Sequence, residues 1–239
     1  MDDLEKHRQH ISRDGFDIFE GIYTPAEIES IIWAINNADQ SASTFRRTSD
    51  LFAIRRFLKE VLGIKSLIFN EKLKSVIDNL FGNDYFVVKS IYFDKPEKSN
   101  WFVAWHQDLT IAVDKKTTLD GFGPWTVKGD QFAVQPPLEI LQDNFTIRIH
   151  LDDTDESNGA LKVIPGSHLK NIFRAEDINW QNEIESACNV KAGGIMVMRP
   201  LLMHASARTT SGKQRRVIHI EFSKALLPVG IDWAEREYF

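Results

Sequence analysis

The sequence predicts a mainly β protein, a sandwich or jelly roll, preceded by helices. Two observations lead there. From Tyr85 onward, short runs rich in β-branched and aromatic residues are separated by Gly, Pro, Asn and Asp, a pattern of stacked sheets rather than βαβ units. The first third instead carries apolar residues at helical spacing. The 239 residues suit one domain with a sizeable core. We therefore expect a single domain over 1–239, with about 1–84 as helical support and about 85–225 as the β-core.

The helices come first. In Thr24-Pro25-Ala26-Glu27, Thr24 can cap, Pro25 fits the first helical position and Glu27 can close a capping box. Ile28, Ile31, Ile32 and Ile35 follow on one face. A second helix is expected near Leu51 to Leu62, with Ile54, Leu58 and Val61 along one side and Gly63 as its stop. A third spans Glu71 to Phe81, with Leu73, Val76, Ile77 and Leu80 on one face and Gly82-Asn83 behind it. These stripes speak for packing against one face of the β-core, not for chemistry.

The strands follow: Tyr85 to Phe93, Phe102 to His106, Phe145 to Leu151, Leu161 to Ile164, Ile195 to Met198 and Val217 to Phe222. Between the second and third, Ala112 to Pro137 holds charges, glycines and prolines. Loops of that length are usually functional or disordered, and Phe122, Trp125 and Phe132 argue against disorder. It reads as a lid or substrate-facing segment, or else as a surface excursion.

Composition narrows the function. A net charge of -5 does not fit a nucleic-acid-binding surface. No apolar run reaches the roughly 18 residues of a membrane span. Cys188 is the single cysteine and can form no internal disulfide, which fits a reducing, cytoplasmic setting. The charged start of the chain lacks the apolar core of a signal peptide, and Arg236-Glu237-Tyr238-Phe239 carries no peroxisomal or retention address. Oligomeric state is not readable.

The chemistry centres on His106-Gln107-Asp108. Residues two apart on a strand point the same way, so His106 and Asp108 can hold one ion as neighbouring ligands. His204, past the strand at Ile195 to Met198 and the turn at Arg199-Pro200, is the candidate third ligand. Two imidazoles and one carboxylate leave positions open on one side of the metal, the ligand set of non-haem Fe(II) oxygenases. His7 and His10 sit in a charged stretch and receive no role. His168, in a Pro-Gly-Ser-His turn, and His219, on the last strand, read as structural. Arg215 stands eleven positions after His204 and can grip a carboxylate bidentately, as a 2-oxo acid co-substrate requires. Ser206 can donate to the same group. Arg216 is the rival, but it shares its face with Ile218, Ile220 and Phe222, the side expected to meet the helices.

Trp105-His106-Gln107-Asp108, then Asn158-Gly159-Ala160-Leu161-Lys162-Val163-Ile164-Pro165-Gly166-Ser167-His168, then His204-Ala205-Ser206 and Arg215, resemble the phytanoyl-CoA dioxygenase family of Fe(II)- and 2-oxoglutarate-dependent oxygenases. The likeness covers roughly residues 85 to 225. It implies a double-stranded β-helix, the cupin-like jelly-roll barrel. It implies Fe(II) on His106, Asp108 and His204, with 2-oxoglutarate and O2 as co-substrates. Arg215 would hold the far carboxylate and Ser206 would assist. The implied activity is hydroxylation of an aliphatic C–H of a small-molecule metabolite, with release of succinate and CO2. Asp108 argues against halogenation, where a small residue replaces the carboxylate.

Other positions stay open. Arg148 stands near a position that is Trp in many relatives, and His150 shares its face. They contact the co-substrate or an anionic substrate, or they form an internal polar network. Lys89 is a further co-substrate candidate, or a solvated strand lysine. Trp101, Phe102 and Trp125 line the substrate pocket or belong to the core. Phytanoyl-CoA itself is not expected as substrate, since no basic patch for CoA is evident. The competing readings are a cupin-type metalloenzyme that needs no 2-oxo acid, and a non-catalytic metal-binding member.

Overall fold

The structure, a computed structural model, describes residues 3–48, 52–97, 99, 101–128 and 131–239. Its strands are β1 (Phe16–Phe19), β2 (Phe45–Arg47), β3 (Phe52–Arg55), β4 (Phe86–Lys95), β5 (Val103–His106), β6 (Ile111–Val113), β7 (Trp125–Lys128), β8 (Gln131–Val134), β9 (Phe145–His150), β10 (Leu161–Val163), β11 (Ser186–Ala187), β12 (Ile195–Met198), β13 (His204–Ser206) and β14 (Arg215–Ser223). The helices are α1 (Asp3–Asp14), α2 (Pro25–Asn36), α3 (Phe57–Glu60), α4 (Ile64–Ile68), α5 (Glu71–Phe81) and α6 (Leu138–Asp143). None of the described helices is long and apolar enough to cross a membrane.

Two antiparallel sheets make the jelly roll. The larger has the order β1-β12-β9-β14-β4-β3-β2, and the smaller β11-β10-β13-β5. The larger sheet separates two environments through its two-residue repeat. On β9 and β14, Phe145, Ile147, Ile149, Ile218, Ile220 and Phe222 join one apolar cluster with the helices. Ile28, Ile31 and Ile35 of α2, Ile64 and Ile68 of α4, and Leu73 and Ile77 of α5 supply the other half of that cluster. The alternate residues Arg148, Arg215 and His219 line a cavity between the sheets.

The local signals at α2 and α5 produce the elements they predict. Thr24 Oγ1 accepts from Glu27 N, Thr24 N donates to the Glu27 carboxylate at 2.7 Å, and Pro25 opens α2. Asn70 caps α5 by accepting from Leu73 N at 2.9 Å, and Gly82 ends it.

Three expectations are corrected. The stretch near Leu51 to Leu62 is not one helix. Residues 52–55 form β3, which pairs with β4, and only the four residues of α3 are helical; Leu51 lies outside the described residues. Ile54, fully buried, belongs to the apolar cluster from a strand, a spacing that helix and strand both allow. Second, Ala112 to Pro137 is not a long loop. It holds β7 and β8, which form a third sheet with β6 in the order β6-β8-β7. Third, the N-terminal part is more than helical support, because β1 pairs with β12 and β3 with β4.

Phe145 joins α5 to the larger sheet. Its ring lies against Phe81 with centroids 3.7 Å apart and against Phe222 at 4.7 Å, and it is fully buried. Phe145→Ala opens a cavity at that junction. We expect a loss of about 3–5 kcal/mol in unfolding free energy, read from urea denaturation.

Candidate metal and co-substrate site

The ligand strands face each other by pairing. β5 and β13 are antiparallel with His106 opposite His204, and the imidazole centroids are 4.2 Å apart. Asp108, two residues past His106, is held by donation from its backbone N to Pro200 O at 2.9 Å. Its carboxylate oxygens stand 3.8 Å from His106 Nε2 and 3.8 Å from His204 Nε2. One ligand atom from each of the three residues lies within 4.8 Å of the other two, a spacing that fits one ion.

The imidazoles are oriented alike. His106 Nδ1 donates to Ala104 O and His204 Nδ1 to Leu202 O, each at 2.8 Å and each two residues back along the chain. A carbonyl only accepts, so the proton sits on Nδ1 and the Nε2 lone pair is left for a metal. Burial pulls His204 down to about 4, against the opposing charge of Asp108, and keeps the ring neutral. Burial alone would raise the Asp108 carboxyl. At the acid pH where this carboxyl would titrate, positive charge on His204, His219, Lys89 and His106 outweighs it and holds the group well below the usual carboxylate range. Asp108 Oδ2 is buried with no hydrogen-bond partner among the described residues. An anionic oxygen without a donor, beside two imidazole lone pairs, fits a divalent cation.

Gln107, between two of the candidate ligands, escaped the sequence reading. Its Nε2 donates to Leu201 O at 2.6 Å and to Asn171 O at 2.8 Å, and its Oε1 accepts from Phe173 N at 2.8 Å. One buried amide thus ties β5 to the segment before His204 and to residues 171–173.

The cavity beside these residues has a volume of about 230 Å³. Arg215, Arg148, Ser206, Lys89 and Trp101 line it together with His106 and Asp108. Arg215 Nη2 donates to Ser206 Oγ at 3.3 Å, and Ser206 Oγ donates to Gly159 O at 3.0 Å. Arg215 Nε and Nη1 are buried without a partner among the described residues, as is Arg148 Nε. Burial, with Arg148 adding to it, pulls the Arg215 guanidinium down to about 9. Neither arginine has a carboxylate at salt-bridge distance among the described residues, and a buried unpaired cation is costly. The cavity therefore favours an anion, and the donor set fits the carboxylates of a 2-oxo acid. Arg216 points the other way and forks onto Asp152 at 2.6 and 2.9 Å.

The remaining candidates divide. Arg148 Nη1 donates to His219 Nδ1 at 3.1 Å, His219 Nε2 donates to Glu221 at 3.0 Å, and Lys89 Nζ donates to Glu221 at 2.6 Å. Arg148 and Lys89 thus both line the cavity and belong to an internal network. His150 lies deeper, with its Nδ1 on Thr154 Oγ1 at 2.8 Å, and it does not line the cavity. Trp101 does, 6.2 Å from the Phe93 ring. Phe102 is 49% exposed, on the outside under the Arg208 guanidinium, and Trp125 packs on a separate apolar cluster behind β6. Neither is brought to the cavity, because Phe102 precedes β5 on its outer side and Trp125 pairs within the third sheet. His7 and His10 both meet Asp17, at 2.7 and 3.1 Å, and His168 meets Ser12 O at 3.1 Å.

The fold and this geometry define a jelly-roll protein with a His-Asp-His group spaced for one ion beside a cavity lined by two buried arginines. The chain belongs to the phytanoyl-CoA dioxygenase (PhyH) family, whose profile matches residues 11–217. Iron and 2-oxoglutarate are the cofactor and co-substrate of that family. An ectoine dioxygenase of Bordetella bronchiseptica is 23% identical over 172 residues, 69% of this chain and 49% of its own length. Matches to curated relatives span only 31% to 49% of the relatives' lengths. Among solved structures, EctD from S. alaskensis with 2-oxoglutarate and 5-hydroxyectoine superposes with a TM-score of 0.70 at 19% identity, over 91% of this chain and 75% of that one. The alpha ketoglutarate dependent epimerase SnoN from nogalamycin biosynthesis superposes with a TM-score of 0.68 at 15% identity, over 98% and 94%.

Lys95, paired in register with Arg215, is another residue the sequence did not single out. It is fully buried with Nζ donating to Ala207 O at 2.5 Å. Gly159, at φ 83°, leaves room for it: a Cβ there would lie 2.7 Å from Lys95 Nζ and 2.5 Å from Ala207 O. Burial, with Arg215 adding to it, pulls Lys95 down to about 8 from an ordinary 10.5. Below pH 8 both folded and unfolded chains carry the proton, and the full penalty of burying it acts. Between pH 8 and 10.5 the folded chain gives it up first, so stability rises with pH. Urea unfolding from pH 7 to 10.5 should show this rise in the wild type relative to Lys95→Met, with a flat difference below pH 8.

Proposed function

We propose that this chain is a non-haem Fe(II)- and 2-oxoglutarate-dependent dioxygenase that hydroxylates an aliphatic C–H of a small-molecule metabolite, with release of succinate and CO2. The observation that carries this reading is the His106, Asp108 and His204 group beside a cavity that His106 and Asp108 share with Arg215, which is buried and has no carboxylate at salt-bridge distance among the described residues. His106, Asp108 and His204 hold the iron through two Nε2 atoms and one carboxylate. Arg215 and Ser206 bind the far carboxylate of 2-oxoglutarate. Arg148 lends a second positive charge and is kept in place by His219. When bound, iron and 2-oxoglutarate together supply the oxidising power for attack on an unactivated C–H bond.

The chain's own residues orient and exclude. The Ala104 and Leu202 carbonyls fix the two rings, Gln107 fixes the strand that carries the first, and Trp101 and Phe93 form part of the cavity wall. Asp108 occupies the position a halide would need, which favours hydroxylation over halogenation. A metalloenzyme without a 2-oxo acid would have no use for Arg215, whose burial would then be an uncompensated cost.

Anaerobic addition of Fe(II) and 2-oxoglutarate should give a visible charge-transfer band. We expect His106→Ala to abolish it and Arg215→Ala to weaken 2-oxoglutarate binding by about tenfold or more, as loss of a bidentate charge-assisted contact implies. A wild-type protein that develops no band is not an oxygenase of this kind.

A further inference from the structure

A second cavity, of about 340 Å³, lies between β3–β4 and the small sheet β6-β8-β7. It shares Lys89 and Ile91 with the inner cavity, so the two meet at β4. Arg55, Arg56, Lys89 and Lys128 line it, against Glu235 as the one carboxylate among the described lining residues. Lys89 is already bound to Glu221, and Glu235 accepts from Ser90 N at 3.0 Å and Ser90 Oγ at 2.5 Å. Arg55 donates to Gln131 Oε1 across the cavity. The sequence shows no basic run here, because the cluster is gathered from β3, β4 and β7.

Arg55 and Arg56 are consecutive, and on a strand they would point to opposite sides. Arg56 instead sits at φ 52°, ψ 41°, in the left-handed region. That conformation is unfavourable for a non-glycine residue. It turns the chain so that both guanidinium-bearing side chains line one cavity. Apolar Ile91, Val113 and Phe132 form part of the lining, with Thr110 and Thr126 beside them. A cationic wall over an apolar floor suits an amphipathic acid.

We propose that this outer cavity binds the anionic group, a carboxylate or a phosphate, of the molecule that is oxidised in the inner one, with Arg55, Arg56 and Lys128 as its recognition residues. The word oxidised rests on the oxygenase reading above; the anion site does not. The substrate is then an acid whose charged end sits beside β3 and β7 while its aliphatic part passes Lys89 and Ile91 toward His106 and Asp108.

Two matched probe pairs test this by calorimetry: phenyl phosphate against phenol, and benzoate against benzamide. Titrations are run anaerobically on the protein with Fe(II) and saturating 2-oxoglutarate, and again on the bare protein. At least one anion should bind saturably and its neutral partner should not; which anion binds tells phosphate from carboxylate. Arg56→Gln and Lys128→Gln should each weaken that binding by about tenfold, the loss of one charge-assisted contact. Lys128 is exposed, so its variant carries the test if Arg56→Gln does not fold. Equal binding of charged and neutral probes, no saturable binding of either anion, unchanged affinity in the variants that fold, or anion binding lost once 2-oxoglutarate is present would each overturn the proposal. The visible band without anion selectivity sinks this inference alone; anion selectivity without the band sinks the oxygenase reading alone.

Discussion

A slip of one residue in β14 would exchange Arg215 and His219 for Arg216, Ile218 and Ile220 on the cavity face. The helices prevent it. Ile218, Ile220 and Phe222 are fully buried in the apolar cluster that α2, α4 and α5 complete. Burial of a large apolar side chain is worth about 1.5–3 kcal/mol, so the shifted register would forfeit several such terms at once. It would also drive Arg215 and His219 into that cluster and pull Arg216 away from Asp152. The apolar face of the sheet thus holds the polar face in place, and the site depends on packing that touches none of its chemistry.

The polar face solves a different problem. Five charged or ionisable side chains, Lys89, Arg148, Arg215, His219 and Glu221, project inward from three adjacent strands. Pairing along Arg148, His219, Glu221 and Lys89 satisfies much of that charge. Arg215 is left with a serine hydroxyl and two buried nitrogens without partners among the described residues. The apolar burial of the other sheet face offsets the cost of this imbalance. A dianion arriving beside Arg215 relieves a strain already built into the barrel, so affinity there draws on a pre-formed electrostatic deficit.

Much of this was legible in the sequence, for reasons that differ by residue. Strand alternation pairs His106 with Asp108 in the sequence, although β5 ends at His106 and Asp108 is placed by its bond to Pro200; Arg215 parts from Arg216 by alternation within β14. That His204 lies opposite His106 needs the pairing of β5 with β13, which no local pattern encodes. Gln107 was invisible because its partners lie far along the chain, at Asn171, Phe173 and Leu201. The helix expected near Leu51 to Leu62 failed because the four-residue step from Ile54 to Leu58 suits either period, and pairing with β4 overrode local preference at Ile54. The short strands β6–β8 were hidden by the glycines and prolines that separate them. Phe102 and Trp125 show that an aromatic close in sequence to a site need not turn toward it. Arg55 and Arg56 could not be placed together without knowing the backbone of Arg56.

Each candidate iron-facing imidazole takes its orienting hydrogen bond from the carbonyl two residues behind it on its own chain. Neither ring relies on a side chain from elsewhere to aim it. The aim of each ring is therefore set within its own strand, β5 or β13. The outer-cavity residues on β3 and β7 take no part in those two hydrogen bonds, so they can be replaced without disturbing how the rings point. Such a separation lets a lineage trade one substrate for another while the oxidising centre stays as it was.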